Sequence, residues 1–177
     1  YVALYERALA YLDRQLGRLF AVLEELEQVE NTLLIIVSDH GEEFLERKHW
    51  GHFEVNLHDE ILRVPLLMRL PGQSEGRVVH SQVRTLDIMP TVLELCRCPA
   101  PEAMEGESLT PLWAGNGNAY KGQLSISEMW RDGRHIIALR TGRFKYIWDS
   151  KHPERPRLYD LAADPQEQQN RASDEPA

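Results

Sequence analysis

The sequence predicts an α/β fold: a partial, mostly parallel sheet flanked by helices over residues 1–118, followed by a small antiparallel subdomain over residues 119–177. Three observations carry this expectation. A long amphipathic pattern opens the chain, and a continuous run of branched apolar residues follows it directly. After residue 123, short strand-like runs alternate with turn formers.

In the first segment Leu4, Ala8, Tyr11, Leu12, Leu19, Val22, Leu23 and Leu26 recur at three- and four-residue steps with charges between them, so residues 3–29 are expected as one helix. Gly17 interrupts the run and is expected to mark a close approach to a neighbouring element. Asn31, tolerant of the left-handed conformation, is the expected terminator. Leu33-Leu34-Ile35-Ile36-Val37 suits a strand buried on both faces of a parallel sheet. It runs into the polar Ser38-Asp39-His40-Gly41, and in α/β sheets ligands bind at such strand ends.

A second buried strand is expected over residues 64–70, with Pro65 near its start and Pro71-Gly72 closing it, and a third over 78–83. Asp87 is the expected N-cap of a helix reaching about Leu95, with Pro90 in its first turn. Residues 99–117, rich in proline and glycine, read as a surface connection. The runs 124–129, 134–140 and 144–148, separated by Arg131-Asp132-Gly133-Arg134 and Thr141-Gly142-Arg143, predict an antiparallel meander. Asp164-Pro165-Gln166-Glu167 is expected to cap a final short helix, and Trp50, Trp130 and Trp148 are expected as packing residues.

With 177 residues and 42% hydrophobic content the chain has enough apolar material for one sizeable core. A formal charge of -8 argues against a nucleic-acid partner, because binding phosphates needs a basic face. It leaves room for an anionic small substrate, since a bound cation reverses the local field. No apolar run approaches the ~20 residues of a membrane span. Cys96 and Cys98, one residue apart, are poorly placed for a mutual disulfide and are expected as small buried or half-exposed thiols. The first residues fall inside a helical pattern without an initiator Met, so the chain is expected to be a piece of a longer protein.

Chemistry concentrates in residues 38–52, SDHGEEFLERKHWGH. Asp39 and His40 fall where a strand turns into a loop, so side chains that would alternate on an extended chain can converge. A carboxylate beside an imidazole suits a divalent cation with mixed oxygen and nitrogen ligands. The competing role, a capping Asp in a plain turn, needs the same residues. Lys48, His49 and His52 are further polar candidates on the same stretch, with a solvated loop surface as the alternative for the first two.

Taken in order, strand-SDHGE, Trp50-Gly51-His52, Arg63-Val64-Pro65-Leu66, Asp87-Ile88-Met89-Pro90-Thr91, Leu158-Tyr159-Asp160-Leu161, Asp164-Pro165-Gln166-Glu167 and Asn170 resemble the C-terminal half of the sulfatase family, within the alkaline phosphatase-like superfamily. The resemblance runs from about Tyr5 to Asn170. It implies a metal-dependent hydrolase of sulfuric esters, with Asp39 and His40 as two ligands of a divalent cation, Ca2+ first and Mn2+, Mg2+ or Zn2+ as alternatives. It places His52 where the family has a sulfate-contacting Lys, which makes His52 the expected catalytic and substrate-binding residue, with Lys48 and His49 as neighbouring substrate contacts. An imidazole there can donate to an ester oxygen or protonate a leaving group.

The family's nucleophile motif, Cys-x-Pro-x-Arg with a formylglycine, is not matched by Cys96-Arg97-Cys98-Pro99. The resemblance therefore implies a formylglycine and two further Asp ligands upstream of Tyr1, and an inactive fragment alone. The implied partners are a sulfated small molecule or glycan and the missing N-terminal half; the apolar helix face around Leu12, Leu19 and Leu23 is expected to stay exposed or to be hidden in a homo-oligomer. The same superfamily leaves a phosphodiesterase, a phosphonate monoester hydrolase or a phosphoethanolamine transferase open. A binding or assembly module with no catalytic role is the non-enzyme alternative.

Overall fold

A computed structural model describes residues 1–52, 56–113, 120, 122 and 124–173. The chain divides into two compact units, Tyr1–Glu54 with Glu60–Arg77, and Val55–Asp59 with Val78–Ala177. The boundary expected near residue 118 lies inside the second unit.

The first unit begins with α1 (Val2–Glu25), in which no residue is buried. Leu4, Leu12 and Leu19 are exposed, and Leu16 and Leu23 are half-buried. Gly17 does not mark a close approach, since a Cβ there would meet nothing within 4 Å. The helix ends earlier than expected. Glu27 takes the left-handed conformation at φ 53°, its N–H bonds to Glu24 O at 3.0 Å and the Gln28 N–H to Leu23 O at 2.9 Å. That pair of bonds is a Schellman stop made without glycine, so Asn31 instead closes a separate 3₁₀ turn, Val29–Asn31.

The strand β1 (Leu34–Val37) starts the sheet and then the chain makes a hairpin of two-residue strands, β2 (Glu43–Phe44) and β3 (Trp50–Gly51). A single helical turn, α2 (Asp59–Leu62), precedes β4 (Leu66–Arg69). β4 begins immediately after Pro65, whose missing N–H would leave a gap in the ladder. β1 pairs with β4 antiparallel, Leu34 opposite Arg69 and Val37 opposite Leu66. The expected mostly parallel sheet is therefore corrected: every strand pair among the described residues is antiparallel. An apolar run does not encode strand direction. A parallel partner needs a crossover that returns the chain to the strand's starting end. Here the excursion from Val37 brings the chain back beside Val37 itself. β1 is also half-buried, with Val37 exposed, rather than buried on both faces.

In the second unit residues 78–83 form no strand. The 3₁₀ turn Thr85–Asp87 runs directly into α3 (Ile88–Leu95). Asp87 is already helical at φ -80° and ψ -11° and makes no side-chain cap bond to α3. Its fully buried carboxylate is a tie-point instead. It accepts from the Arg84 N–H at 2.9 Å, the Arg84 guanidinium at 2.8 Å, the Glu107 N–H at 2.9 Å and the Tyr120 hydroxyl at 2.5 Å. Burial disfavours the charged carboxylate, but these donors outweigh that and hold its pKa below the usual range. Burial, and then the Asp87 carboxylate, push the Tyr120 phenol up. Past α3, Arg97 is left-handed at φ 56°, and Cys96 and Cys98 are free thiols as expected, but exposed rather than buried or half-exposed. A further helical turn, α4 (Thr110–Trp113), buries Leu112.

The C-terminal meander forms as expected: β5 (Ser125–Arg131), β6 (Arg134–Arg140), β7 (Phe144–Asp149) and β8 (Arg157–Asp160) make one antiparallel sheet in that order. Asp132 and Gly133, both at positive φ, connect Arg131 to its partner Arg134 in a two-residue hairpin, the conformation an Asp-Gly pair favours. Ile136, Ala138, Lys145, Ile147 and Asp149 line the buried face. Trp130 is not a packing residue. It is 71% exposed and stacks on His135 at 3.8 Å.

The expected final helix at Asp164 is absent. Glu167 is left-handed at φ 53°, which breaks a helix and turns its carboxylate inward. Fully buried Lys145 places its ammonium 2.8 Å from Asp59 and 2.9 Å from Glu167. Arg140 bonds to Asp59 at 2.8 Å, and Glu167 accepts from the Asp59 N–H at 2.8 Å and lies 3.2 Å from His58 Nδ1.

Candidate functional site

The site lies in the first unit, where β1 gives way to its loop. Gly41 sets the loop's path. Its N–H bonds to Ile61 O at 2.8 Å, and a Cβ at this position would run into the Glu60 carbonyl, so only glycine lets the two backbones meet. The loop also folds on itself, because the Ser38 hydroxyl donates to His40 O at 2.7 Å and the His40 N–H donates to Asp39 Oδ1 at 3.0 Å.

Asp39 and His40, which sequence reasoning paired, do converge: Asp39 Oδ2 and His40 Nε2 are 3.8 Å apart. His40 Nδ1 lies 2.7 Å from Gly41 O. A carbonyl oxygen only accepts, so Nδ1 carries a proton, which leaves Nε2 as the ring atom a cation could bind beside the Asp39 carboxylate. The Asp39 side chain is 89% exposed, so it has not given up its hydration.

His52 joins the same group. Its ring centroid is 4.0 Å from that of His40, and its Nδ1 is 3.0 Å from Glu42 Oε2. The other Glu42 oxygen accepts from the Tyr1 hydroxyl at 2.6 Å. That bond, with smaller help from His52, keeps the Glu42 carboxyl below its usual pKa despite partial desolvation. Glu42 and Tyr1 are the residues sequence reasoning missed. Glu42 stood inside the SDHGE stretch and two residues from His40, a spacing that deserved a ligand's weight. Tyr1 gave no local signal.

The β2–β3 hairpin carries His52 to this place. Buried Glu43 accepts from the Arg47 N–H at 2.8 Å and the His49 N–H at 3.3 Å, closing the turn, while Leu45 and Lys48 take left-handed conformations. Arg47 is held by Glu60 at 2.9 Å. Tyr1 and Tyr5 of the α1 end pack on the hairpin, with Tyr1 4.9 Å from Trp50 and Tyr5 4.9 Å from Phe44. Lys48 and His49 are exposed on that turn. The four residues brought together are thus Asp39, His40, Glu42 and His52, with one ligand atom from each of the last three lying within 4.8 Å of the others.

Comparison with known proteins agrees with this architecture. Human arylsulfatase K is 32% identical over 95% of the chain and 33% of its own length. The phosphonate monoester hydrolase of Agrobacterium radiobacter superposes with a TM-score of 0.75 at 29% identity, covering 93% of the chain and 36% of that enzyme. BT4656, solved with its substrate D-glucosamine-2-N,6-O-disulfate, superposes with a TM-score of 0.76 at 25% identity, covering 92% of the chain and 34% of that protein. The chain spans about a third of the length of these relatives. The sulfatase family model matches residues 1–97, and the chain belongs to the sulfatase family.

Proposed function

We propose that this chain supplies one side of the active site of a metal-dependent sulfuric ester hydrolase. The observation that carries the proposal is the pairing of Asp39 with His40 Nε2 at 3.8 Å, with the His52 ring beside His40. Bonds of about 2.0–2.6 Å to a shared ion need donor atoms this close, and a carboxylate oxygen with an imidazole nitrogen fits a divalent cation. Asp39 and His40 would hold that cation, Ca2+ first among the candidates. When bound it neutralises charge on the ester and lowers the pKa of an attacking oxygen.

The chain's own residues do the rest. Gly41 fixes the loop so that both ligands face one way, and the Gly41 carbonyl keeps His40 in the ligating tautomer. His52, oriented by Glu42 at 3.0 Å, contacts the ester group or hands a proton to the leaving oxygen. Lys48 and His49, exposed on the hairpin turn, are the candidate contacts for the remainder of an anionic substrate. A sulfated small molecule or glycan is the substrate class, in keeping with the disulfated glucosamine that BT4656 binds. The formylglycine nucleophile belongs to the rest of a longer protein, since no Cys-x-Pro-x-Arg stands in these residues. That remainder also fits against the exposed apolar residues of α1, Leu4, Leu12 and Leu19; self-association would cover the same stripe.

A phosphonate or phosphate ester is the second reading, favoured by the likeness to the Agrobacterium phosphonate monoester hydrolase and by an imidazole rather than an ammonium at residue 52. The cation site is tested by calorimetric titration of the chain with Ca2+. Wild type is expected to bind one equivalent, and Asp39→Asn, which keeps the side chain's shape but loses its charge, to weaken binding by ~10-fold or more. Equal affinity in the two proteins would remove Asp39 from the ligand set.

A further inference from the structure

We infer that His40, Glu42 and His52 form a second cation site, selective for zinc-like transition metals, which shares His40 with the Asp39–His40 pair. One ligand atom from each of the three residues lies within 4.8 Å of the others, and the Glu42–His52 contact is already 3.0 Å. Tetrahedral zinc with bonds of about 2.0–2.2 Å separates its ligand atoms by about 3.3 Å, so side-chain rotations on the order of 1 Å would close the set. The scaffold beneath them is fixed. His40 is held by Gly41 O at 2.7 Å, Glu42 by the Tyr1 hydroxyl at 2.6 Å, and residue 52 follows directly on β3. Glu42 is also the most shielded of the three, its side chain 13% exposed, so its charge is less screened than that of a surface carboxylate.

Donor chemistry separates this set from the first. Two imidazole nitrogens and one carboxylate are ligands that zinc takes readily, leaving a fourth position for water. Ca2+ and Mg2+ prefer oxygen shells and gain little from a second imidazole. The exposed Asp39 carboxylate is the oxygen-rich side, and Glu42 with His52 the nitrogen-rich side, of a shared His40. Occupancy of the two is mutually exclusive. Zinc would take His40 from the Asp39–His40 cation and His52 from the ester, so the chain is expected to bind zinc at the expense of the first site.

Calorimetric titration of the 177-residue chain with zinc chloride tests this, with circular dichroism to confirm that each variant is folded. Wild type is expected to take up one equivalent of Zn2+. Glu42→Gln and His52→Ala should each weaken that uptake by ~10-fold or more, and by more than Asp39→Asn does. The near-isosteric Glu42→Gln keeps the test sound if His52→Ala misfolds. The inference is overturned if a folded wild type takes up no zinc, or if Asp39→Asn loses zinc while Glu42→Gln keeps it. Calcium titrations of the same variants keep the two sites apart: Ca2+ binding indifferent to Asp39→Asn would sink the Asp39–His40 assignment and leave the zinc result standing.

Discussion

Lys145→Met is expected to destabilise the second unit by about 3–5 kcal/mol, enough to consume much of a domain's stability. Lys145 is fully buried and its ammonium stands between two carboxylates, Asp59 at 2.8 Å and Glu167 at 2.9 Å. Methionine fills nearly the same volume, so the loss is electrostatic rather than a cavity. Buried Glu167 and half-buried Asp59 would then face each other with their shared cation gone, and leaving a buried charge unpaired costs several kcal/mol. Urea unfolding of the variant measures the effect, and a change below about 1 kcal/mol would mean that solvent reaches this group freely.

The same cluster gives a pH dependence. Burial alone would raise the Asp59 pKa, but Arg140 and Lys145 outweigh it and bring the folded value to about 2, against 3.8 for the free side chain. A folded-state pKa below the unfolded one contributes stability that is present above the unfolded value and lost as the pH falls toward the folded one. The unit should therefore hold its urea midpoint down to about pH 4 and lose stability steeply between about 4 and 2.

In a full-length protein carrying this chain, as the proposed function requires, His52→Ala is expected to lower kcat by ~10²–10⁴, the range for a positioned general acid or ester contact. The expectation rests on His52 standing against His40 at 4.0 Å, oriented by Glu42, rather than in the interior. A packing residue would change stability and leave turnover alone. An imidazole that meets the ester should depress kcat with the thermal midpoint nearly unmoved, because His52 is exposed at 41%. Turnover within about twofold of wild type would reduce His52 to a surface residue.

Local signals were legible where the physics is local. The meander came through because Asp132-Gly133 can adopt two successive positive φ values and the flanking runs alternate. The convergence of Asp39 with His40 came through because a strand end must turn, and Gly41 makes the turn tight. What failed depended on distant partners. Strand direction in β1 is decided by where residues 38–65 return, which no apolar run encodes. Asp87 looked like a helix cap, yet its carboxylate answers donors from Arg84, Glu107 and Tyr120, up to 33 residues away. Glu167 sat in an apparent helix start, but pairing with Lys145 accompanies a left-handed backbone there. Glu42 was hidden because its partners, Tyr1 and His52, lie 41 and 10 residues away.

The most direct test of the central claim is inorganic sulfate release from an aryl sulfate by the longer protein, set beside hydrolysis of the corresponding phosphonate monoester, for wild type and Asp39→Asn. Sulfate release by wild type at the higher kcat/KM, falling by ~10² or more in Asp39→Asn, is the predicted result. Undiminished sulfate release by Asp39→Asn, or hydrolysis confined to the phosphonate, would contradict it.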